Sequence, residues 1–160
     1  MFRLDNFLNT HPVLVFIFGM LVTVIAALVK GKWRIAFLIL YIIFIGIMTI
    51  AYRETGDSRG QFEIFASFRY FFVKASLRQS ILNNIWLFVP LGAALYSENR
   101  KWTWIIPIVL SILIEAIQYI AGIGLCEIDD VITNGLGGVT GYGLSWGIHW
   151  FLSRENVSFY

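Results

Sequence analysis

Long apolar blocks separated by short polar breaks constrain this chain more than any other feature. Each block is close to the ~17–25 residues that an α-helix needs to cross a bilayer. Membrane β-strands alternate apolar and polar residues, whereas a run such as FLILYIIFIGIMTI does not. The chain is also 58% hydrophobic and 14% charged, against about 45–50% apolar and about 25% charged in soluble domains. The sequence therefore predicts an all-α, polytopic transmembrane helical bundle.

The blocks predict about five membrane spans and a three-part organisation of the chain. Residues 1–79 hold two amino-terminal spans and a connecting segment, residues 80–152 hold a three-span core, and residues 153–160 form a short tail. The first block is longer than a signal-peptide core and no convincing cleavage site follows it, so we expect it to stay as a helix. The predicted spans are Pro12–Val29, Trp33–Tyr52, Ser80–Tyr96, Trp102–Gly122 and Asp130–Leu152.

One long connection, Arg53–Gln79, joins the second and third spans. It begins with a cluster of Gly, Asp and Ser and then carries aromatic and basic residues at helical spacing. This pattern predicts an amphipathic helix, which either lies in the membrane interface or packs over the bundle as a lid. The residues that carry the pattern are Phe65, Phe68 and Phe72 against Arg69, Lys74 and Arg78.

The basic residues of the short connections favour one orientation. Lys30–Arg34 holds three basic residues and Arg100–Lys101 holds two, whereas Gly124–Asp130 holds none. The positive-inside rule places the first two connections in the cytoplasm, so the amino terminus faces outward and the carboxyl terminus inward. The long connection argues against this orientation, because it would also lie outside although it carries the basic residues Arg53, Arg59, Arg69, Lys74 and Arg78.

The unusual polar residues gather on one membrane face, whichever orientation holds. In a five-span chain, the start of span three, the end of span four and the start of span five lie on the same side. Arg69 and Arg78 open onto that side, and we place them with Glu127 at the mouth of a candidate pocket. The candidate pocket residues are Asn83, Asn84, Glu115, Gln118, Asp129, Asp130 and Asn134.

Glu115 is the hardest of these residues to explain as structure. It lies thirteen residues after Trp102, or roughly 20 Å at 1.5 Å per residue. A charged carboxylate within a bilayer costs at least ~2.5–3.5 kcal/mol, so we expect it to face a polar interior, find a partner or stay protonated. It shares a helix stripe with Ser111 and Gln118, and we expect that stripe to face protein.

Several of the other polar and small residues also have structural interpretations. Asn83 and Asn84 either border a polar cavity, beside a helix interrupted by Pro90 and Gly92, or form interhelical hydrogen bonds. Asp129 or Asp130 would stabilise a helix amino terminus as a cap. The glycines of the last span predict close helix packing through Gly137, Gly138 and Gly141 and through Gly143 and Gly147.

Three chemistries fit the polar set, and Glu115 and Asp130 are the candidates for any catalytic role. The oxygen-rich side chains suit a divalent cation, whereas His11 and His149 lie far along the chain from these residues and argue against zinc. Closely spaced carboxylates also suit acid–base chemistry or proton relay. Carboxylates and amides beside basic loops suit a lipid headgroup, a sugar or a peptide. No nucleophile motif selects a reaction, and the net charge of +2 is too small to indicate nucleic acid.

Three ordered motifs, NNIWLFVPLG, EAIQYIAG and IDDVITNGLGGVTG, resemble the VanZ-like family, which is named for a membrane protein associated with low-level teicoplanin resistance. The resemblance covers Leu82–Gly143. The preceding stretch FEIFASFRYF departs from the family pattern because it lacks a proline. The residues typical of the family's motifs correspond in this sequence to Asn84, Pro90, Gly92, Glu115, Gln118, Asp130, Asn134 and Gly138.

The resemblance implies a bacterial, multi-pass inner-membrane protein linked to the cell envelope or to antibiotic response. Its implied partners are membrane lipid and a lipid-linked cell-wall precursor, a cell-surface polymer or a glycopeptide. We favour a pocket that binds such a molecule. The alternatives are a metal-dependent hydrolase or transferase acting on a lipid-linked substrate, and, less favoured, a small transporter.

Overall fold

The computed structural model describes residues 11–51, 60–61, 63–123 and 126–157, and most of these residues are helical. An α-helix occupies each of the five predicted positions, with shifted ends. The second helix continues as a π-helix, Ile47–Ala51, and a 3-10 helix, Lys101–Ile105, precedes the fourth. The α-helices are α1 (Pro12–Leu28), α2 (Gly31–Gly46), α3 (Ala75–Leu95), α4 (Ile106–Ala121) and α5 (Ile128–Val157).

Within the described ranges, two helical segments are long and apolar enough to cross a membrane, Gly31–Ile50 and Lys101–Ala121. Only 6% of the apolar window of the first segment and 28% of that of the second are buried within the protein. Apolar helices with so little protein cover indicate a membrane protein. The crossing of the bilayer by α1, α3 and α5 stays a prediction.

Helix α3 lies at the centre of the described fold, where it packs most extensively against α5 and next against α1. Its carboxyl-terminal half is almost entirely buried, from Phe88 to Leu95. One core cluster joins Phe88 and Leu91 to Ile45 and Ile114 from neighbouring helices. A second cluster joins alanines of α1 and α3, whose small side chains let these two helices approach closely.

The close approach of α3 to α5 depends on glycine. A Cβ atom on Gly141 would overlap the carbonyl oxygen of Val89, and a Cβ atom on Gly137 would overlap that of Ile85. Backbone atoms cannot move aside as a flexible side chain can. Gly137 and Gly141 therefore lie where the backbones of α5 and α3 approach closely.

The motif glycines Gly92 and Gly138 bring a third helix into this contact. A Cβ atom on Gly92 would overlap the backbone of Gly138, and a Cβ atom on Gly138 would overlap the ring of Pro107 in α4. The packing prediction is wrong for Gly143 and Gly147. A Cβ atom on either residue would meet open space. Both glycines lie on a face of α5 that is turned away from α3, whereas Tyr142 and His149 still contact Tyr96.

Pro90 does not interrupt α3, which continues as one α-helix to Leu95. The predicted break is therefore wrong. Proline removes one backbone donor, and a helix inside a protein tolerates it where nearby groups satisfy the backbone. The carbonyl that loses its helical donor is that of Trp86, four residues before Pro90. The Tyr41 hydroxyl donates a 3.0 Å hydrogen bond to the next carbonyl, that of Leu87.

The amphipathic helix predicted within Arg53–Gln79 is also wrong over residues 63–74. This stretch forms turns around a short 3-10 helix, Phe68–Tyr70, and α3 begins only at Ala75. A two-residue strand β1, Gly60–Gln61, pairs in parallel with β2, Cys126–Glu127. The connection thus lies against the segment that precedes α5. The basic residues Arg53 and Arg59 lie outside the described residues.

Candidate functional site

The first contact of the candidate site joins α3 to the first turn of α5. The side-chain amide of Asn84 donates a 2.7 Å hydrogen bond to a carboxylate oxygen of Asp130. Both side chains are partly exposed. Sequence reasoning assigned both residues to one pocket, and the structure brings them into direct contact.

Glu115 is buried in α4, with 4% of its surface exposed. One of its carboxylate oxygens accepts a 3.0 Å hydrogen bond from the backbone N–H of Glu127. Glu127 belongs to β2, so the connection between α4 and α5 folds back to reach the carboxylate. Glu115 has the partner that its position requires, and the structure brings it together with Glu127, which we had placed at the pocket mouth.

Asp129 does not cap α5 in the predicted way. It is 3% exposed, and its two carboxylate oxygens accept hydrogen bonds from the backbone N–H groups of Phe65 (2.7 Å) and Ser67 (2.8 Å). Phe65 has a φ of 64°, a left-handed conformation that disfavours bulky residues. These bonds hold the connection in a non-helical conformation at Phe65 and Ser67, which explains why the predicted amphipathic helix does not form.

The amides of Gln118 and Asn134 are buried and only half satisfied among the described residues. Gln118 donates to the backbone carbonyl of Thr49 at 2.8 Å, and Asn134 donates to the hydroxyl of Ser111 at 2.9 Å. The side-chain oxygens of both amides have no hydrogen-bond partner in the part of the chain that the structure describes. Each is therefore an acceptor with unused capacity.

The remaining predicted residues are Asn83, Arg69 and Arg78. Asn83 accepts a 2.9 Å hydrogen bond from Gln79, one turn earlier in α3. Arg69 forms an exposed ion pair with Glu63 at 2.7 Å. Arg78 is partly exposed in the first turn of α3. The placement of the two arginines at a pocket mouth stays a prediction.

The pKa of the Cys126 thiol is affected by the charges of the site. Burial raises the pKa of its thiol, and the Glu115 and Asp130 carboxylates raise it further. The hydrogen bond from the Glu127 N–H to Glu115 places that carboxylate near Cys126, the preceding residue of β2. No pattern in the sequence predicts this relationship between Cys126 and the carboxylates.

Some contacts of the site have no sequence signal at all. The Thr49 carbonyl that receives Gln118 lies in the π-helix that follows α2, inside an unbroken apolar block. The Asp129 bonds go to backbone groups, which no residue type identifies.

Among the described residues, no group of three or more His, Cys, Asp or Glu side chains could hold a metal ion.

Comparisons with known proteins identify similar chains. Residues 33–152 match the family model described as VanZ/LLP1. A stretch of 75 residues is 40% identical to Protein VanZ of Enterococcus faecium and covers 42% of this chain and 46% of that protein. The chain thus spans about half the length of this relative. No solved structure matches.

Proposed function

The chain belongs to the VanZ/LLP1 family, and on that premise we propose that it is a multi-pass protein of the bacterial cytoplasmic membrane that contributes to resistance against teicoplanin-type glycopeptides. We further propose that its polar cluster binds a lipid-linked or cell-surface molecule of the envelope. The polar cluster consists of Asn84, Glu115, Gln118, Asp130 and Asn134.

The single observation that carries this proposal is the unused acceptor capacity of Gln118 and Asn134. Gln118 is 0% exposed and Asn134 is 3% exposed, and neither side-chain oxygen has a partner among the described residues. A buried polar group without a partner costs about 1–3 kcal/mol. Such a cost is expected where a ligand supplies the missing bond, and polar residues within membrane helices are commonly functional.

The chemistry of the polar cluster favours a ligand that donates hydrogen bonds. Two carboxylates, from Glu115 and Asp130, and two amide oxygens, from Gln118 and Asn134, are all acceptors. Sugar hydroxyls, peptide N–H groups and ammonium groups are donors, and lipid-linked cell-wall precursors and glycopeptides carry all three. A purely anionic ligand would meet repulsion here.

The proposal is tested by resistance measurements with two charge-neutral variants, Glu115→Gln and Asp130→Asn. We expect the wild-type chain to raise the minimum inhibitory concentration of teicoplanin in a susceptible host, and each variant to abolish that increase. Membrane levels, measured by immunoblot, should stay unchanged. The matched control is Glu63→Gln, which removes an exposed carboxylate and should keep full resistance.

Two outcomes contradict the proposal. Unchanged resistance in both variants, at normal membrane levels, would remove the polar cluster from the function. A wild-type chain that gives no protection at all would overturn the assignment to glycopeptide resistance.

A further inference from the structure

A cavity of about 480 Å³ lies away from the polar cluster, at the other ends of α3 and α5. This volume is within the ~300–1,000 Å³ of small-molecule sites. Aromatic side chains dominate its lining, and one carboxylate and one ammonium group stand among them. The residues used below are Tyr96, Tyr142, Trp146, Trp150, Glu98 and Lys101.

A second pocket of about 40 Å³ shares Tyr96 and His149 with this cavity. Its lining includes the basic residues Lys30 and Arg34 and the hydroxyl of Ser145. Ser145 is 0% exposed, and its hydroxyl oxygen has no partner among the described residues. The second pocket therefore combines an unsatisfied hydroxyl with positive charge, and it adjoins the larger cavity at Tyr96 and His149.

Arg34 fixes the geometry of this pocket. Its guanidinium donates hydrogen bonds of 2.6 Å to the carbonyl oxygens of Ala94 and Tyr96, at the carboxyl end of α3. A cation at a helix carboxyl terminus is stabilised by the unpaired carbonyl groups there. Its positive charge is thus held beside the second pocket by the fold itself.

The aromatic rings of the cavity suit a cation. Tyr96 packs edge-on against Tyr142 with their ring centroids 5.3 Å apart, and it also contacts the ring of His149 at 5.0 Å. The guanidinium of Arg154, which is not among the lining residues, lies 4.0 Å from the ring centroid of Trp150, and this is the attraction that an aromatic ring offers to a cation. Glu98 adds a negative charge to the same cavity.

We propose that this site binds the headgroup of a zwitterionic phospholipid. The ammonium group lies against Glu98 and the aromatic rings of the larger cavity. The phosphate lies toward Lys101 and the basic second pocket, where the hydroxyl of Ser145 donates to it. A lipid is the favoured source because Trp146 and Trp150 are 58% and 48% exposed, and such rings concentrate at the headgroup level of membranes.

The test is lipid retention by the purified full chain, measured by native mass spectrometry from vesicles of equal parts phosphatidylethanolamine and phosphatidylglycerol. We expect preferential retention of phosphatidylethanolamine. Glu98→Gln and Trp146→Leu should each reduce that preference about fivefold, through loss of ion pairing or cation–π attraction. Both residues are exposed, so neither change should prevent folding.

The controls are Glu63→Gln and Lys32→Gln, which change exposed charges outside the lining of both cavities. Displacement of the lipid by soluble phosphoethanolamine, but not by inorganic phosphate, would support recognition of both charges. Equal retention of the two lipids, or an unchanged preference in both Glu98→Gln and Trp146→Leu, would overturn the proposal. The readout is independent of antibiotic resistance.

Discussion

The side-chain amide of Asn84 and the carboxylate of Asp130 lie 2.7 Å apart and join α3 to the first turn of α5. The two residues are 46 positions apart in the chain. A hydrogen bond to a charged acceptor is roughly twice as strong as one between neutral groups. This contact therefore stabilises the helix pair as well as shaping the polar cluster.

A double-mutant cycle with Asn84→Ala and Asp130→Ala measures that contribution. We expect a coupling free energy of about 1.5–3 kcal/mol, the range for hydrogen bonds to charged groups. The measurement is the free energy of unfolding in detergent for the wild type, both single variants and the double variant. The sum of the single effects should exceed the effect of the double variant.

The exposed ion pair of Glu63 and Arg69 is the comparison for this cycle. Its side chains are 57% and 66% exposed, and such pairs contribute about 0–1 kcal/mol. A coupling for Asn84 and Asp130 no larger than that of this pair would show that their contact is not structural.

The Asp129→Asn variant should release the connection from α5. An amide cannot offer two acceptor oxygens, so the N–H of Phe65 or of Ser67 loses its partner at a cost of about 1–3 kcal/mol. Hydrogen exchange at these two backbone amides should accelerate, with little change in the middle of α3. Glu63→Gln, a similar acid-to-amide change in the same segment, should leave both rates unchanged. Unchanged exchange in Asp129→Asn would contradict the anchoring role.

The sequence predicts the helices of this protein better than it predicts their connections. The apolar blocks are long and continuous, so hydrophobicity alone identifies α1, α2 and α4. The turn that contains Phe65 depends instead on the distant Asp129, and local helical spacing gave the wrong answer there. Local patterns cannot report a bond that forms only after two distant segments meet.

Part of the candidate site was predictable because a charged residue in an apolar stretch is unusual. Glu115 and Asp130 are such residues, and both also lie in the motifs that resemble the family. Their partners are less predictable, because the Glu127 N–H and the Thr49 carbonyl are backbone groups that every residue carries. The aromatic cavity is not predictable from the sequence, because tryptophans near the ends of membrane helices, such as Trp146 and Trp150, are ordinarily interfacial anchors.

Replacement of glycines in α5 by alanine should distinguish the glycines that pack against α3 from those that face open space. Gly141→Ala places a methyl group against the Val89 carbonyl, so we expect the free energy of unfolding to fall by about 1–3 kcal/mol. Gly143→Ala meets open space and should raise stability by up to about 1 kcal/mol through helix propensity. Chemical unfolding of both variants in detergent measures the difference. Equal effects at the two positions would contradict the close approach of α3 and α5.

The reactivity of Cys126 measures the charges of the polar cluster directly. Burial raises the pKa of this thiol, with Glu115 and then Asp130 as further causes. At a pH below this raised pKa, a smaller fraction of the thiol is ionised to the reactive thiolate, so alkylation is slow. Because Cys126 is the chain's single cysteine, a thiol reagent reports on this position alone.

Neutralising either carboxylate should therefore shift the pH profile of alkylation to lower pH. We expect Glu115→Gln to give the larger shift and Asp130→Asn a smaller one in the same direction, so that both variants react faster than the wild type at pH 8. Glu98→Gln, which removes a carboxylate at the other end of the fold, should leave the profile unchanged. After denaturation all four profiles should coincide, because burial and both carboxylate neighbours are then lost. A Glu115→Gln profile identical to the wild-type profile in the folded protein would show that the Glu115 carboxylate does not act on the thiol.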